Sequence, residues 1–255
     1  MKSFKLLVIA AALPLVLSAC KMSQLDSVTK GFEALTLSDA QVTSLTNDAC
    51  AQQDASHKIA SNSSTYGKRL AKIHKELPTD INGKKATYKV YQTKEINAWA
   101  MANGCIRIYS GLMDFMTDDE VRGVIAHEIG HVHLGHTLKA VKVGALANIG
   151  ADALASSSAV GGVAGKVGMS TSQIAAFSNQ LINSQFSQKQ EYEADAYAYD
   201  WLVSKKRSPQ PFIDGLNKLA SLSSGTDSAM TAILSSHPDS KKRAETLTKR
   251  LASGK

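Results

Sequence analysis

The stretch Thr117-Asp118-Asp119-Glu120, followed by His127-Glu128-Ile129-Gly130-His131, decides how the rest of the chain is read. Thr117 three residues before Glu120 is a capping box, and it opens a helix expected to run to about His136. At ~100° per residue, histidines four apart lie on one helix face, one turn from each other. Two imidazoles so placed reach a single zinc ion at ~2.0–2.1 Å. Glu128 is offset by one residue, so it misses the metal and is left as general base for the attacking water. Val121, Val124, Ile125 and Val132 anchor the helix in a core, and Gly130 is expected to leave room on the metal side. In a chain with seven histidines, a chance occurrence of this pattern behind a capping box is rare.

The pattern supplies two ligands, whereas catalytic zinc takes three from the protein and one water. The extended metzincin pattern needs glycine at 134 and histidine at 137. Leu134 and Thr137 stand there, which excludes that class. His133 and His136 fall on the far side of a continuous helix and read as structural or exposed. The run Gln190-Glu191-Tyr192-Glu193-Ala194-Asp195 offers carboxylates instead. Glu191 and Asp195 share a helix face, so Glu191 is a candidate ligand and Asp195 a candidate partner for the outer ring nitrogen of a ligating histidine. Glu193 is the competing ligand. His237, in Ser235-Ser236-His237-Pro238, and Arg243 beyond it are left open by spacing alone.

The 255-residue chain is 44% hydrophobic and 20% charged, which suits a folded globular protein rather than a disordered one. Its beginning reads apart. Lys2 and Lys5 precede an apolar run from Leu6 to Leu17, too short for the roughly twenty residues of a bilayer span but suited to a signal peptide over residues 1–19. Leu17-Ser18-Ala19-Cys20 resembles a bacterial lipobox, with cleavage before Cys20 and acylation, palmitate included, of that residue. The plainer alternative is an ordinary signal peptide cut near Ala19. Lys21 after the cysteine, rather than aspartate, resembles outer-membrane sorting, so a lipid-anchored protein on the periplasmic face of the outer membrane is expected. Loss of Lys2 and Lys5 takes the formal charge from +7 to +5. That charge is spread without a basic stripe, which argues against nucleic acid as a partner. Cys50 and Cys105 remain, and in an oxidising compartment a disulfide between them is expected, two buried thiols being the alternative.

Residues 20–37 read as a lipid-anchored tether and 38–255 as one domain. Ser38 and Gln41 form another capping box, opening a helix toward Cys50. Further helices are expected from about 66 to 77, 185 to 205, 211 to 222 and 240 to 251. Strands are expected from 86 to 91 and on both sides of Asn103-Gly104. Residues 140–170, rich in Ala, Gly and Ser, read as a small-residue hairpin or a flap rather than a membrane span. The class is α+β, mostly helical, with a small sheet.

His127-Glu128-x-x-His131, Glu191-x-x-x-Asp195 and Ser236-His237-Pro238 with Arg243 resemble the HtpX and CAAX-prenyl-endopeptidase family of zinc metallopeptidases, the gluzincins. Asn97-Ala98-Trp99-Ala100 and the segment from Gly104 to Leu112 resemble that family's substrate-edge strand and the connection after it, so the likeness spans residues 60 to 250. The resemblance implies a zincin-type domain with an edge strand beside the active-site helix. It implies one Zn2+ per chain on His127, His131 and Glu191, with Asp195 and Arg243 supporting the ligands from outside. His237 is then close to the metal, either as a transition-state donor or as a switch that occupies the water position. The activity implied is endopeptidase cleavage of misfolded or unassembled envelope proteins. An edge strand around Cys105–Tyr109 is expected to receive the substrate in extended form. The chain carries no convincing transmembrane helix, a departure from the integral-membrane members that argues against CAAX-type substrates. One rival reading is a proteolytically quiet chaperone for outer-membrane proteins, in contact with their assembly machinery. The other is a zinc hydrolase of peptidoglycan peptides.

Overall fold

A computed structural model describes residues 37–145, 170–222 and 231–254. The expected signal peptide, Cys20, the tether up to residue 36 and most of the small-residue segment (146–169) lie outside them. Leu37, the last residue assigned to the tether, is buried.

Ser38 caps α1 (Asp39–Ser56) through the Gln41 amide, and the Gln41 side chain closes the box on the Ser38 backbone. After α2 (Thr65–His74) come two short antiparallel strands, β1 (Asp80–Ile81) and β2 (Lys84–Lys85), joined by Asn82 and Gly83 in the left-handed region. The main sheet has three strands, β3 (Thr87–Tyr91), β4 (Ala98–Ala100) and β5 (Cys105–Tyr109), in the order β3-β5-β4. β5 runs parallel to β3 and antiparallel to β4.

This order corrects one expectation. The Cys105–Tyr109 strand is central, with all five residues buried, and β3 and β4 form the two edges. The reason is non-local: β3 finds its partner across the β4 segment, and nothing in the alternation of either strand announces that pairing. The turn between β4 and β5 is as expected. Gly104 takes φ +82°, and a Cβ there would lie 2.9 Å from the Lys85 carbonyl oxygen.

The helices after the sheet are α3 (Ser110–Phe115), α4 (Asp118–His133), α5 (helical over 136–145), α6 (Thr171–Ile182), α7 (Gln188–Ser204), α8 (Gln210–Leu222), α9 (Thr231–Ser236) and α10 (Ser240–Ala252). α3, α6 and α9 were not expected from the sequence. α4 is the central element, packed on β4 and β5 on one side and on α7 and α8 on the other. Val121, Ile125 and Ile129 are fully buried in one cluster with Ile106 and Ile108 of β5. Ala126 turns the other way, toward Ala198, Leu202 and Phe212. Gly130 belongs to that second face. A Cβ there would meet the Ala194 carbonyl oxygen and the Tyr197 ring, each at 3.1 Å. Its smallness therefore brings α4 against α7, and the expected room on the metal side is not what it provides.

α1 is fastened to the sheet twice. Cys50 and Cys105 form a disulfide with Cα atoms 6.4 Å apart, inside the ordinary range for such a bridge. One turn on, Asp54 accepts from Lys89 Nζ (2.7 Å), the Tyr91 hydroxyl (2.8 Å) and Arg107 Nε (2.8 Å). Among the described residues no helix is long and apolar enough to cross a membrane.

Candidate active site

α4 opens on the expected capping box, the Thr117 hydroxyl accepting from the Glu120 amide and the Glu120 carboxylate from Thr117 N–H. It closes earlier than expected, at His133, where Gly135 takes φ +75° and turns the chain into α5. His127 and His131 lie one turn apart on its buried face, their Nε2 atoms 3.0 Å from each other. α7 opposes them, and Glu191 in its first turn sets Oε1 3.3 Å from His131 Nε2. The loop ahead of α10 brings His237 to the same point, its Nδ1 3.4 Å from His127 Nε2 and 3.1 Å from Glu191 Oε1.

These four buried side chains hold their donor atoms within 4.8 Å of one another. The spacing is what a tetrahedral cation needs. Bonds of ~2.0–2.1 Å imply ligand–ligand edges of about 3.3–3.4 Å, and four of the six donor pairs lie 3.0 to 3.4 Å apart. The donor chemistry, three imidazoles and a carboxylate, is equally suited to such an ion. Burial also holds the His131 imidazole well below its usual range, so it is neutral and offers a lone pair.

The supporting charges surround this point. His127 Nδ1 lies 2.9 Å from Asp195 Oδ1. Arg243 grips Asp195 with two bonds, Nε–Oδ2 2.8 Å and Nη2–Oδ1 2.6 Å, and reaches Glu191 Oε2 with Nη1 at 2.6 Å. Burial alone would raise the Asp195 carboxyl, but Arg243 outweighs it and holds it at about 2. Desolvation likewise opposes ionisation of Glu191, and His237 and His127 overcome it, leaving the carboxylate ionised.

Glu128 is set differently. Its carboxyl is buried and pushed above the usual range by desolvation, with His237 and His127 opposing. Oε1 lies 3.4 Å from His237 Nε2. One imidazole thus presents Nδ1 to the donor group and Nε2 to Glu128. Burial lowers the His237 imidazole, yet Glu191 and Glu128 win and hold it above its usual value.

The positions marked in the sequence, His127, Glu128, His131, Glu191, Asp195, His237 and Arg243, come together within these contacts. Glu193 does not join the donor group and points instead to His136 Nε2 at 3.2 Å. His136 was placed with the structural or exposed residues because α4 was carried through it. It is buried, past the end of α4, with Nδ1 3.0 Å from His131 Nδ1. Gly135 was the signal that could have found it, since a glycine after a helical run ends the run. Phe186, also unmarked, stacks on His131 with centroids 3.8 Å apart.

The chain is similar to known proteins. The chain matches the family described as Peptidase family M48 over residues 65–251. It is 42% identical over 262 aligned positions to Metalloprotease YcaL of Escherichia coli (strain K12), covering 100% of each chain. To Metalloprotease LoiP of the same organism it is 44% identical, covering 96% of each. Protease HtpX of Mannheimia succiniciproducens is 27% identical, with 62% of this chain and 64% of that protein covered. A likeness that runs through every element carrying the buried donors, and over 96% or more of two relatives, makes this chain a metalloprotease belonging to peptidase family M48.

Proposed function

We propose that the protein is a zinc endopeptidase of the bacterial envelope, lipid-anchored through Cys20 to the periplasmic face of the outer membrane. Its substrates are misfolded or unassembled envelope proteins, a quality-control role that brings it near the outer-membrane assembly machinery. Residues 1–19 are the signal, 20–37 the tether, and 38–255 one catalytic domain. The observation that carries the reading is the four-donor group with Glu128 beside it. His127, His131 and Glu191 hold the metal, Asp195 fixes the His127 ring, and Arg243 keeps Asp195 ionised while pairing with Glu191.

Zinc, when bound there, supplies a Lewis acid that acidifies a water and polarises the scissile carbonyl. Glu128 accepts the proton of that water and returns it to the leaving amine. Its raised proton affinity brings it closer to the working pH, as general acid–base exchange requires. The outer edge of β4, unpaired among the described residues, is the place for an extended peptide to add as a strand.

His237 favours the switch over the donor. A single ring that meets the ligands through Nδ1 and Glu128 through Nε2 stands where the water and its proton acceptor must meet. Removing it then releases activity, so His237→Ala should cleave an unstructured peptide faster than wild type. A hundredfold loss would assign the oxyanion-donor role instead. Four protein donors also describe a closed, structural zinc site, which keeps the quiet chaperone as the second reading. Casein cleavage that disappears in Glu128→Gln separates the two, because the chaperone cleaves in neither form.

A further inference from the structure

The two histidines of α4 are supported unequally. His127 meets a carboxylate directly, Nδ1 to Asp195 Oδ1 at 2.9 Å. Among the described residues, none places a carboxylate at the corresponding nitrogen of His131. Its Nε2 belongs to the donor group, so that nitrogen carries a lone pair and the proton sits on Nδ1. The partner there is His136 Nδ1 at 3.0 Å, which must accept. The His136 proton is then on Nε2, 3.2 Å from Glu193 Oε2. The tautomers follow from the network, with one consistent direction. Phe186, stacked 3.8 Å away at an interplanar angle of 21°, fixes the plane of the His131 ring. A flat apolar face cannot choose which nitrogen points inward; the hydrogen bond to His136 can.

We propose that His136 and Glu193 are positioning residues for His131, a relay that does through an interposed imidazole what Asp195 does directly for His127. Its geometry depends on the α4 break. Gly135 turns the chain so that His136 folds back over His131, and α7 carries Glu193 two residues past Glu191 to its rim. His136 is 7% exposed, whereas Glu193 is 43% exposed with Lys189 Nζ 3.7 Å from its other oxygen. The imidazole is therefore the essential member and the carboxylate a weaker one. The inference rests on the metal-centre reading above, and its test separates the two.

Zinc affinity of the purified full chain, measured by competition with a chromogenic chelator, is the readout. Loss of a partner behind a ligating histidine typically weakens metal binding about 10- to 100-fold. His136→Phe keeps the ring volume but offers no acceptor, and it should show that loss. His136→Asn places Oδ1 where Nδ1 stood and should recover most of it. The visible absorption of the Co2+-loaded protein should shift in the phenylalanine variant and return in the asparagine one. Glu193→Ala, half-exposed and safe for folding, should weaken zinc by a few-fold in wild type and not at all in the His136→Phe background. Unchanged affinity in His136→Phe overturns the inference, as do equal losses in His136→Phe and His136→Asn, which would mark packing alone. A wild type that holds no zinc would instead overturn the metal-centre reading on which it stands.

Discussion

One cluster of charge, around Asp54, is partly buried and another, around His127, is fully buried, and they are completed in different ways. Around Asp54 every strong group has its match: Lys89, Tyr91 and Arg107 donate, and the carboxylate accepts from all three. The Cys50–Cys105 bond then closes the region covalently. Around His127 three imidazoles and a carboxylate converge on one point instead, nitrogen to nitrogen at 3.0 Å and nitrogen to carboxylate at 3.1 and 3.3 Å. Such an arrangement repels unless a cation or protons lie between. Buried charge is therefore not by itself a sign of function. The sign is a convergence of donors that the chain leaves for something else to complete.

The contrast breaks most visibly at the ligands. His127→Ala, His131→Ala and Glu191→Ala should each lose the metal and, with it, activity by orders of magnitude, read by elemental analysis and peptide hydrolysis. Full occupancy in Glu191→Ala would remove that residue from the ligand set. Chelation should also lower the melting temperature, since a metal held at about a thousand times its Kd contributes roughly 4 kcal/mol to the folded state.

On the other side, replacing Cys50 and Cys105 by serine should cost about 2–4 kcal/mol in denaturant unfolding. Zinc content should stay at wild-type level, because no donor to the metal touches the disulfide. A fall in zinc content would show that the two clusters are coupled through β5 and would blur the comparison.

A smaller effect is expected from Asp54→Asn. Burial raises that carboxyl, but its bonds to Arg107, Lys89 and Tyr91 prevail and hold it at about 2, below the ordinary 3.8. The stabilisation is complete above pH ~4 and is lost as the pH falls toward 2. The variant should be less stable by about 2 kcal/mol near neutral pH, and the two unfolding curves should converge in acid. A difference that is independent of pH would contradict the ion-pair account.

How much of this was legible in the sequence depended on range. Local rules placed α1, α4 and α7, because capping boxes at Ser38, Thr117 and the helical spacing of Glu191 and Asp195 are written within a few residues. His127, Glu128 and His131 followed from one turn of helix. The disulfide followed from the cysteine count. The β5 position did not, since its parallel partner β3 lies across an intervening strand. The role of His136 was lost to a helix carried one turn too far. α6 went unseen: beside a run of small residues, its apolar face is partnered by α1, more than a hundred residues away, where Gln53 Nε2 meets Ser178 Oγ at 2.6 Å.

The most direct test of the account is Glu128→Gln. The substitution preserves size and leaves the four donors intact, so the variant should keep one zinc per chain and the wild-type fold. Hydrolysis of casein or an unstructured peptide should fall by about 10²–10⁴-fold, the usual worth of a general base. Near-normal turnover in a zinc-loaded Glu128→Gln protein would contradict the assignment of this site.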